Sequence, residues 1–150
     1  MNPFYFILPF LGFSIIAQPF NEQLFTKIEG EWNVIGSTNI TNKHCYFINI
    51  TNENDKVLWK EDYQLDDKTH FNQEIITSKD FRSFHSKNIT YNILFNSYFK
   101  DFMVIQRNDE ILVLSKSHEF TYDEYFYLGA SLPLITNEKI NFINNEFSFC

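Results

Sequence analysis

Residues 25–36 read FTKIEGEWNVIG, with a glycine at position 30 and a tryptophan two residues after it. Gly30 permits a tight turn, since glycine adopts backbone conformations that other residues avoid. The apolar residues after it begin a series of short runs rich in Ile, Val, Phe and Tyr, which Asn, Asp, Lys and Ser separate. These runs recur roughly every ten to twelve residues, a spacing typical of antiparallel strands in a sandwich or barrel.

The runs differ in how their apolar residues are arranged. In the third and fifth runs apolar and polar residues alternate, as in a strand that covers a core with one face only. Residues 111–114 (ILVL) and 125–128 (YFYL) are apolar on both faces, so another element must cover their outer side. The predicted strands are residues 31–38, 43–52, 56–66, 69–78, 88–99, 101–107, 110–117 and 124–131.

The predicted cover is a helix near the C-terminus. Thr136 suits the N-cap position, because its side chain can accept from a free backbone N–H of the first turn. Ile140, Ile143 and Phe147 then fall on one helical stripe. The pattern predicts one amphipathic helix over residues 137–145, packed against the outside of the strands.

Length, charge and composition exclude several classes of protein. The 150 residues suit one domain. A net charge of -7, without any run of Lys or Arg, argues against nucleic acid as a partner. Eighteen Phe and eight Tyr against four Gly and four Pro exclude a disordered or fibrous chain. An acidic globular domain with an aromatic interior is left.

The N-terminal segment indicates export. Residues 4–17 carry no charge, and this run is shorter than the approximately 20 apolar residues that a spanning helix needs. A run of this length that ends in a small residue, Ala17, is typical of a secretory signal. We predict a signal peptide over residues 1–17 and a mature domain over residues 18–150, with no membrane span. The alternative is a buried N-terminal helix.

Sequons and cysteines agree with export. Asn39, Asn49 and Asn88 each begin an Asn-Ile-Thr triplet, which predicts N-glycosylation at the surface of a secreted chain. Cys45 and Cys150 form an even pair, which in an exported chain predicts one disulfide bond. Cys45 and Asn49 have the same parity on their predicted strand. An outward Asn49 therefore places Cys45 outward as well, where a tail packed on the outside can reach it.

Residues 25–36 resemble the opening signature of the lipocalins, a Gly-x-Trp at the start of the first strand. The resemblance covers approximately residues 20–147. It implies an up-and-down barrel in which Gly30 and Trp32 form the barrel-closing motif, with the Trp32 ring at the closed end.

Two landmarks of that family are incomplete. Of the usual turn between the sixth and seventh strands, only Asp109 remains. A basic residue that would stack on Trp32 is missing after the last predicted strand, so the stack is absent or comes from elsewhere, with Arg107 and Lys27 as candidates. Intracellular fatty-acid-binding proteins share Gly-x-Trp, but they insert two helices after the first strand. Residues 37–43 are too short and too polar for such a pair.

The resemblance implies an apolar cup that takes a small hydrophobic molecule through its open end. Glu61 shares the parity of the apolar residues around it. It would bind the polar end of a ligand or an amine, or else lie at the rim in water. The alternative for the whole interior is that large rings fill it. The predicted cavity residues are Val34, Trp59, Glu61, Tyr63, Phe71, Ile75, Tyr91, Ile93, Phe95, Phe102 and Val104.

Catalysis is not predicted, and neither is a metal or another cofactor. The four histidines (His44, His70, His85 and His118) lack the spacing of metal ligands. Cys45 is the one candidate nucleophile, and a disulfide bond would remove its thiolate.

These observations predict an all-β fold, an eight-stranded antiparallel up-and-down barrel with a C-terminal helix packed outside. The predicted function is that of a secreted, extracellular carrier of a small hydrophobic molecule, such as a lipid or a retinoid-like compound. The alternative is a secreted protein-binding or inhibitory module with a filled barrel, which acts on a protein receptor or target through its outer surface.

Overall fold

The computed structural model describes residues 19–97, 102–117, 122–143 and 150. In these parts of the chain the elements follow in this order: α1 (Glu22–Ile28), β1 (Gly30–Ser37), β2 (His44–Glu53), β3 (Lys56–Leu65), β4 (Lys68–Ser78), β5 (Ser83–Ser86), β6 (Ile89–Asn96), β7 (Phe102–Arg107), β8 (Glu110–Ser115), α2 (Tyr122–Ile135) and β9 (Asn141–Phe142).

The strands β1 to β8 close into one antiparallel barrel. Their order is β2-β3-β4-β5-β6-β7-β8-β1, and β1 pairs with β2 to complete the circle. Tight turns connect several strands. In two of them, at 54–55 and 66–67, both residues have positive φ, as two-residue hairpin turns require. The short β9 extends the sheet from the far end of β1. The predicted eight-stranded up-and-down barrel is confirmed.

The helix α1 closes one end of the barrel. The side chain of Asn21 caps it by accepting from the backbone N–H of Leu24 at 3.0 Å. Leu24 and Ile28 are fully buried and pack against the barrel interior. Trp32 is anchored below them, because its Nε1 donates to the carbonyl of Ile28 at 2.8 Å.

The helix α2 packs outside the barrel and creates a second core there. Its Leu128 and Leu132 contact residues of the outer barrel face, among them Phe102 and Val113. The predicted position of a helix outside the barrel is therefore confirmed. Its predicted residues were wrong, however, since residues 124–131 were expected to be the eighth strand.

There is a physical reason why residues 124–131 were predicted as a strand although they are helical. Residues 125–128 are apolar at every position, so they fit a strand and a helix equally well by periodicity. Leu128, Leu132 and Ile135 follow a helical spacing, and acidic residues in the first turn suit the helix dipole. The predicted helix over 137–145 was also wrong. Residues 137–140 are not helical, β9 follows them, and 144–145 lie outside the described residues.

The sequence did not predict β5. This strand reads Ser-Phe-His-Ser and has one large apolar residue, Phe84, which is fully buried. Four residues with a single apolar side chain are too few for a periodic signal. With β5 in place, the barrel closes with eight strands although residues 124–131 are helical.

Cys45 and Cys150 form a disulfide bond with their Cα atoms 5.6 Å apart, as predicted. It fastens the C-terminal residue to β2. Within the described ranges, we find no helix that is both long and apolar enough for a membrane span. The predicted signal peptide, residues 1–17, lies outside them.

Candidate functional site

The interior of the barrel is aromatic. The Trp59 ring centroid lies 4.7 Å from that of Tyr91 and 5.8 Å from that of Phe84, and the Phe84 and Tyr91 rings stack at 4.6 Å. All three side chains are fully buried. Toward the other side of the interior, Tyr46 packs on Tyr63 at 5.4 Å, and Tyr63 is half-buried.

A group of polar side chains lies at the barrel end opposite α1. We call Tyr46, Glu61, Arg107 and Glu110 the interior polar layer. Glu61 accepts from Tyr46 Oη at 2.7 Å and from Trp59 Nε1 at 2.6 Å, and it forms an ion pair with Arg107. The Arg107 guanidinium also contacts Glu110 at 3.0 Å and Tyr46 Oη at 3.3 Å. Every member thus bonds to at least one other.

The sheet determines where this layer lies. Arg107 and Glu110 face each other across the turn that joins β7 to β8. Glu110 accepts from the hydroxyl of Ser37, the last residue of β1, at 2.7 Å. Since α1 precedes the first residue of β1, the layer belongs to the opposite end. A third carboxylate, Glu74, accepts from the hydroxyl of Tyr91.

Burial and the neighbouring charges decide the protonation of these groups. Burial, and then the charge of Glu61, raise the pKa of Tyr46 above its ordinary value, while burial and the bond to Glu74 do the same for Tyr91. Burial by itself would lower the pKa of Arg107, but Tyr46 and Glu61 beside it outweigh this effect and raise it. Both phenols are therefore neutral donors at physiological pH, and Arg107 is a cation.

Part of the predicted cavity set lies together inside the barrel. Glu61 is 4% exposed and does not lie at the rim in water. The other predicted residues that face inward belong to the interior apolar cluster or pack against it. The predicted residues that the structure places inside are Val34, Trp59, Glu61, Tyr63, Tyr91 and Ile93.

Phe71 and Ile75 do not line the interior. They are 63% and 51% exposed on β4, so this part of the prediction was wrong. Residues paired across antiparallel strands share a face, and the inward Trp59 is paired with Glu74. The inner face of β4 therefore carries Glu74 and Ile76, and its odd-numbered residues point outward.

Phe95, Phe102 and Val104 were also predicted to face the cavity, and they lie instead in the outer core beneath α2. A register shift between Ile93 and Phe95 interrupts the alternation on β6. On β7, where both faces are apolar, the inward residues are Met103 and Ile105.

The barrel-closing motif takes the predicted place, but its cation comes from a different residue. Gly30 has a φ of +99°, and a Cβ there would lie 2.6 Å from the ammonium of Lys116. That ammonium sits 4.3 Å from the centre of the Trp32 ring and also donates to the carbonyl of Glu29. The candidates Arg107 and Lys27 were therefore wrong. Lys116 directly follows β8, before the segment predicted as the last strand.

Arg107 and Glu110 were missed as interior residues. Their one sequence signal is their position on either side of Asn108–Asp109, because residues that flank a two-residue turn pair with each other. Tyr46 alternates with Cys45 and Asn49 on its strand and so has the opposite, inward parity, but its contact with Glu61 joins two neighbouring strands and has no local pattern.

Comparison with known proteins gives the fold a name. No protein-family model matches the sequence, and no curated protein matches it. Among solved structures, the cockroach allergen Per a 4 has a TM-score of 0.70 at 12% identity, and the alignment covers 89% of this chain and 96% of that one. Insecticyanin from the tobacco hornworm Manduca sexta has a TM-score of 0.65 at 13% identity, covering 87% and 84%. Siderocalin Ex-FABP has a TM-score of 0.59 at 13% identity, covering 80% and 95%. The chain has the lipocalin fold.

Two further observations agree with this lipocalin fold. Residues 38–43, between β1 and β2, contain no helix, in contrast to the fatty-acid-binding proteins. Cys45, the one candidate nucleophile, is held in the disulfide bond. In the described parts of the chain, no group of three or more His, Cys, Asp or Glu side chains is arranged to hold a metal ion.

Proposed function

We propose that this chain is a secreted carrier that binds a small hydrophobic molecule inside its barrel. The observation that carries the proposal is the interior itself, whose aromatic rings lie between α1 at one end and the interior polar layer at the other. Ligand sites are typically apolar with a few well-placed polar groups, and this interior has that composition. The lipocalin fold supports a binding role in general. One structural neighbour, siderocalin Ex-FABP, is described as acting through dual ligand specificities.

The interior polar layer is the proposed contact for the polar end of the ligand. Tyr46 and Arg107 are donors, Glu61 and Glu110 are acceptors, and all of them are held by bonds to each other. A ligand that reaches the layer exchanges one of these bonds for its own, so a polar end group is tolerated beside the rings.

Export is the second part of the proposal. The disulfide bond fits an oxidising compartment. The predicted signal peptide and the three sequons point in the same direction. Asn39 and Asn88 are exposed, on the connection after β1 and on the turn before β6.

The alternative is a module that binds a protein through its outer surface. It is favoured by the interior rings, which contact one another from Phe84 through Tyr91 to Trp59. The outer surface offers exposed rings, with Tyr122 and Phe126 of α2 83% and 72% exposed. In this alternative the rings serve as a core only.

Native mass spectrometry of the protein purified from its own source, followed by solvent extraction, tests the carrier directly. We expect a small apolar molecule to leave with the protein in stoichiometric amount. Titration of the delipidated protein with the neutral probe N-phenyl-1-naphthylamine gives a second measurement. Saturable binding with quenching of tryptophan fluorescence is expected, because Trp59 lies in the interior.

Two matched variants separate the functions. Tyr63→Ala removes a half-buried ring of the interior and should weaken probe binding, whereas Phe126→Ala on the outer helix should leave it unchanged. If the probe does not bind, or binds equally to both variants, the interior is not the site. Loss of the binding of a protein target on Phe126→Ala would instead establish the surface module.

A further inference from the structure

The outer face of the barrel has a groove of about 370 Å³ beside the seam between β1 and β2. Trp32, Phe47 and Phe71 line it together with Asn49, which begins the second sequon. Its volume lies near the lower end of the range for small-molecule sites, about 300–1,000 Å³.

The register puts Asn49 between polar and aromatic neighbours. On β1 and β3 it is paired with Glu31 and Lys60. The next row along the strands runs from Phe47 of β2 through β3 to Phe71 of β4. A group attached to Asn49 therefore lies beside an exposed ring, since Phe71 is 63% exposed.

Two buried side-chain oxygens on this face of the sheet have no hydrogen-bond partner among the described residues. They are Asn33 Oδ1, in the groove, and Thr51 Oγ1, which lies outside its lining. Asn33 is 3% exposed, lines the groove and is paired with Phe47. Its Nδ2 already donates to the carbonyls of Ser115 and Ser117, which leaves Oδ1 as an acceptor without a donor. Thr51 lies two residues from Asn49 and so has the same face. Unmet buried groups of this kind point to a bound partner.

We propose that this groove seats the first sugar of an N-linked glycan on Asn49. An N-acetylglucosamine ring offers a C–H face to the rings of Phe47 and Phe71. Its hydroxyl and acetamide groups offer the donor that Asn33 Oδ1 lacks. Asn39 and Asn88 lie on exposed loops instead, so a glycan there contributes solubility and not packing.

The attachment is an ordinary group transfer of the secretory pathway. Nδ2 of Asn49 forms a bond to C1 of the first sugar of a lipid-linked oligosaccharide and loses a proton. The bond between C1 and the diphosphate breaks, and the lipid diphosphate leaves. The exporting cell supplies this donor and the transferase. The proposal thus rests on export, but it does not depend on a ligand inside the barrel.

The test uses the full chain secreted from a eukaryotic host, with sequon occupancy measured by glycopeptide mass spectrometry. Asn49 should be occupied, and Asn49→Gln should lower Tm by about 2–4 °C, the order of shift that one favourable contact gives in a domain of this size. Asn39→Gln and Asn88→Gln are the matched controls and should leave Tm unchanged. Trimming of the wild-type glycan to one N-acetylglucosamine with an endoglycosidase should also leave it unchanged.

A double-variant cycle identifies the contact. Phe71→Ala should lower Tm in the glycosylated protein and have little effect on the Asn49→Gln background, because the ring then has no sugar to contact. Ile75→Ala, half-exposed on the same face of β4, should be insensitive to the glycan. If Asn49→Gln is not secreted, enzymatic removal of the whole glycan from wild type and from Phe71→Ala completes the cycle.

The outcomes that overturn the proposal are distinct. Occupied Asn39 and Asn88 with an unmodified Asn49 contradict the groove assignment alone. A chain that stays inside the host cell without any glycan contradicts export as well, whereas a secreted chain without glycan contradicts only the groove assignment. Equal effects of Phe71→Ala with and without the sugar show that the groove does not hold it.

Discussion

Replacement of Arg107 by methionine tests the interior polar layer most directly. Among the described residues, Arg107 is the one cation that bonds Glu61, and the side chains of the pair are 15% and 5% exposed. Methionine retains much of the aliphatic stem and removes the charge. Arg107→Met therefore leaves a buried carboxylate with the hydroxyl of Tyr46 and the indole of Trp59 as its donors.

The magnitude follows from what each variant leaves behind. Removing one partner of a buried ion pair costs about 3–5 kcal/mol. We expect a loss near the lower end, about 3 kcal/mol, because two neutral donors remain on Glu61 and Arg107 is partly exposed. Glu61→Gln should cost less, about 1.5–3 kcal/mol, the range for a hydrogen bond to a charged group. Its smaller effect has a structural reason, since Arg107 keeps Glu110 at 3.0 Å.

Urea unfolding, followed by tryptophan fluorescence and far-ultraviolet circular dichroism with the disulfide intact, measures these losses. The double variant Glu61→Gln/Arg107→Met removes the Glu61 carboxylate that Arg107→Met alone leaves without a cation, so its loss should be at least about 1 kcal/mol smaller than the sum of the single losses. Arg82→Met, at an exposed arginine, is the control and should stay within about 0.5 kcal/mol of wild type. The reasoning is refuted if Glu61→Gln costs as much as Arg107→Met, or if the two losses add.

Three further results are expected. Lys116→Met removes the ammonium above the Trp32 ring and should lower the free energy of unfolding by about 1 kcal/mol. Lys116→Arg keeps a cation there and should retain most of this stability. Urea titration measures both variants. Replacing Cys45 and Cys150 together by alanine removes the disulfide bond between residues 105 positions apart. The chain-entropy estimate gives a loss of about 4.7 kcal/mol, which the same titration without reductant checks. Stability should fall above pH 10, because the folded-state pKa values of Tyr46 and Tyr91 are raised. The stabilisation is complete below the unfolded pKa of about 10 and is lost as pH rises, by up to about 1.4 kcal/mol per pH unit for each tyrosine. Tyr46→Phe should halve that slope.

The sequence predicts the middle of β3 well because apolar and polar residues alternate there. Trp59 and Glu61 alternate with Lys60 and Asp62, and the structure places the first pair inside and the second outside. Where the outer face of a strand contacts water, the alternation of polar and apolar residues indicates which side chains face inward. The inward position of Glu61 followed from this rule.

The same rule fails on β7 because α2 covers its outer face. Phe102, Met103, Val104 and Ile105 are all fully buried, two on each side of the sheet. Four apolar residues in succession contain no information about which two face inward. On β4 the rule fails for the opposite reason, since apolar Phe71 and Ile75 lie on the solvent side. Only cross-strand pairing, which is non-local, resolves both strands.

The strand that the sequence did not show also decides how much of the interior is open. A closed barrel needs its eighth strand, and β5 provides it with Phe84 as its one large apolar residue. That ring stacks on Tyr91 and packs against Trp59 in the interior proposed for the ligand. Residues 124–131, which were expected to form that strand, belong to α2 instead and contribute to the outer core. The space left for a ligand is therefore limited by a side chain from the element with the weakest sequence signal. Composition predicts the aromatic character of the interior, whereas the extent to which it is filled follows from the packing of Phe84 against residues distant in the chain.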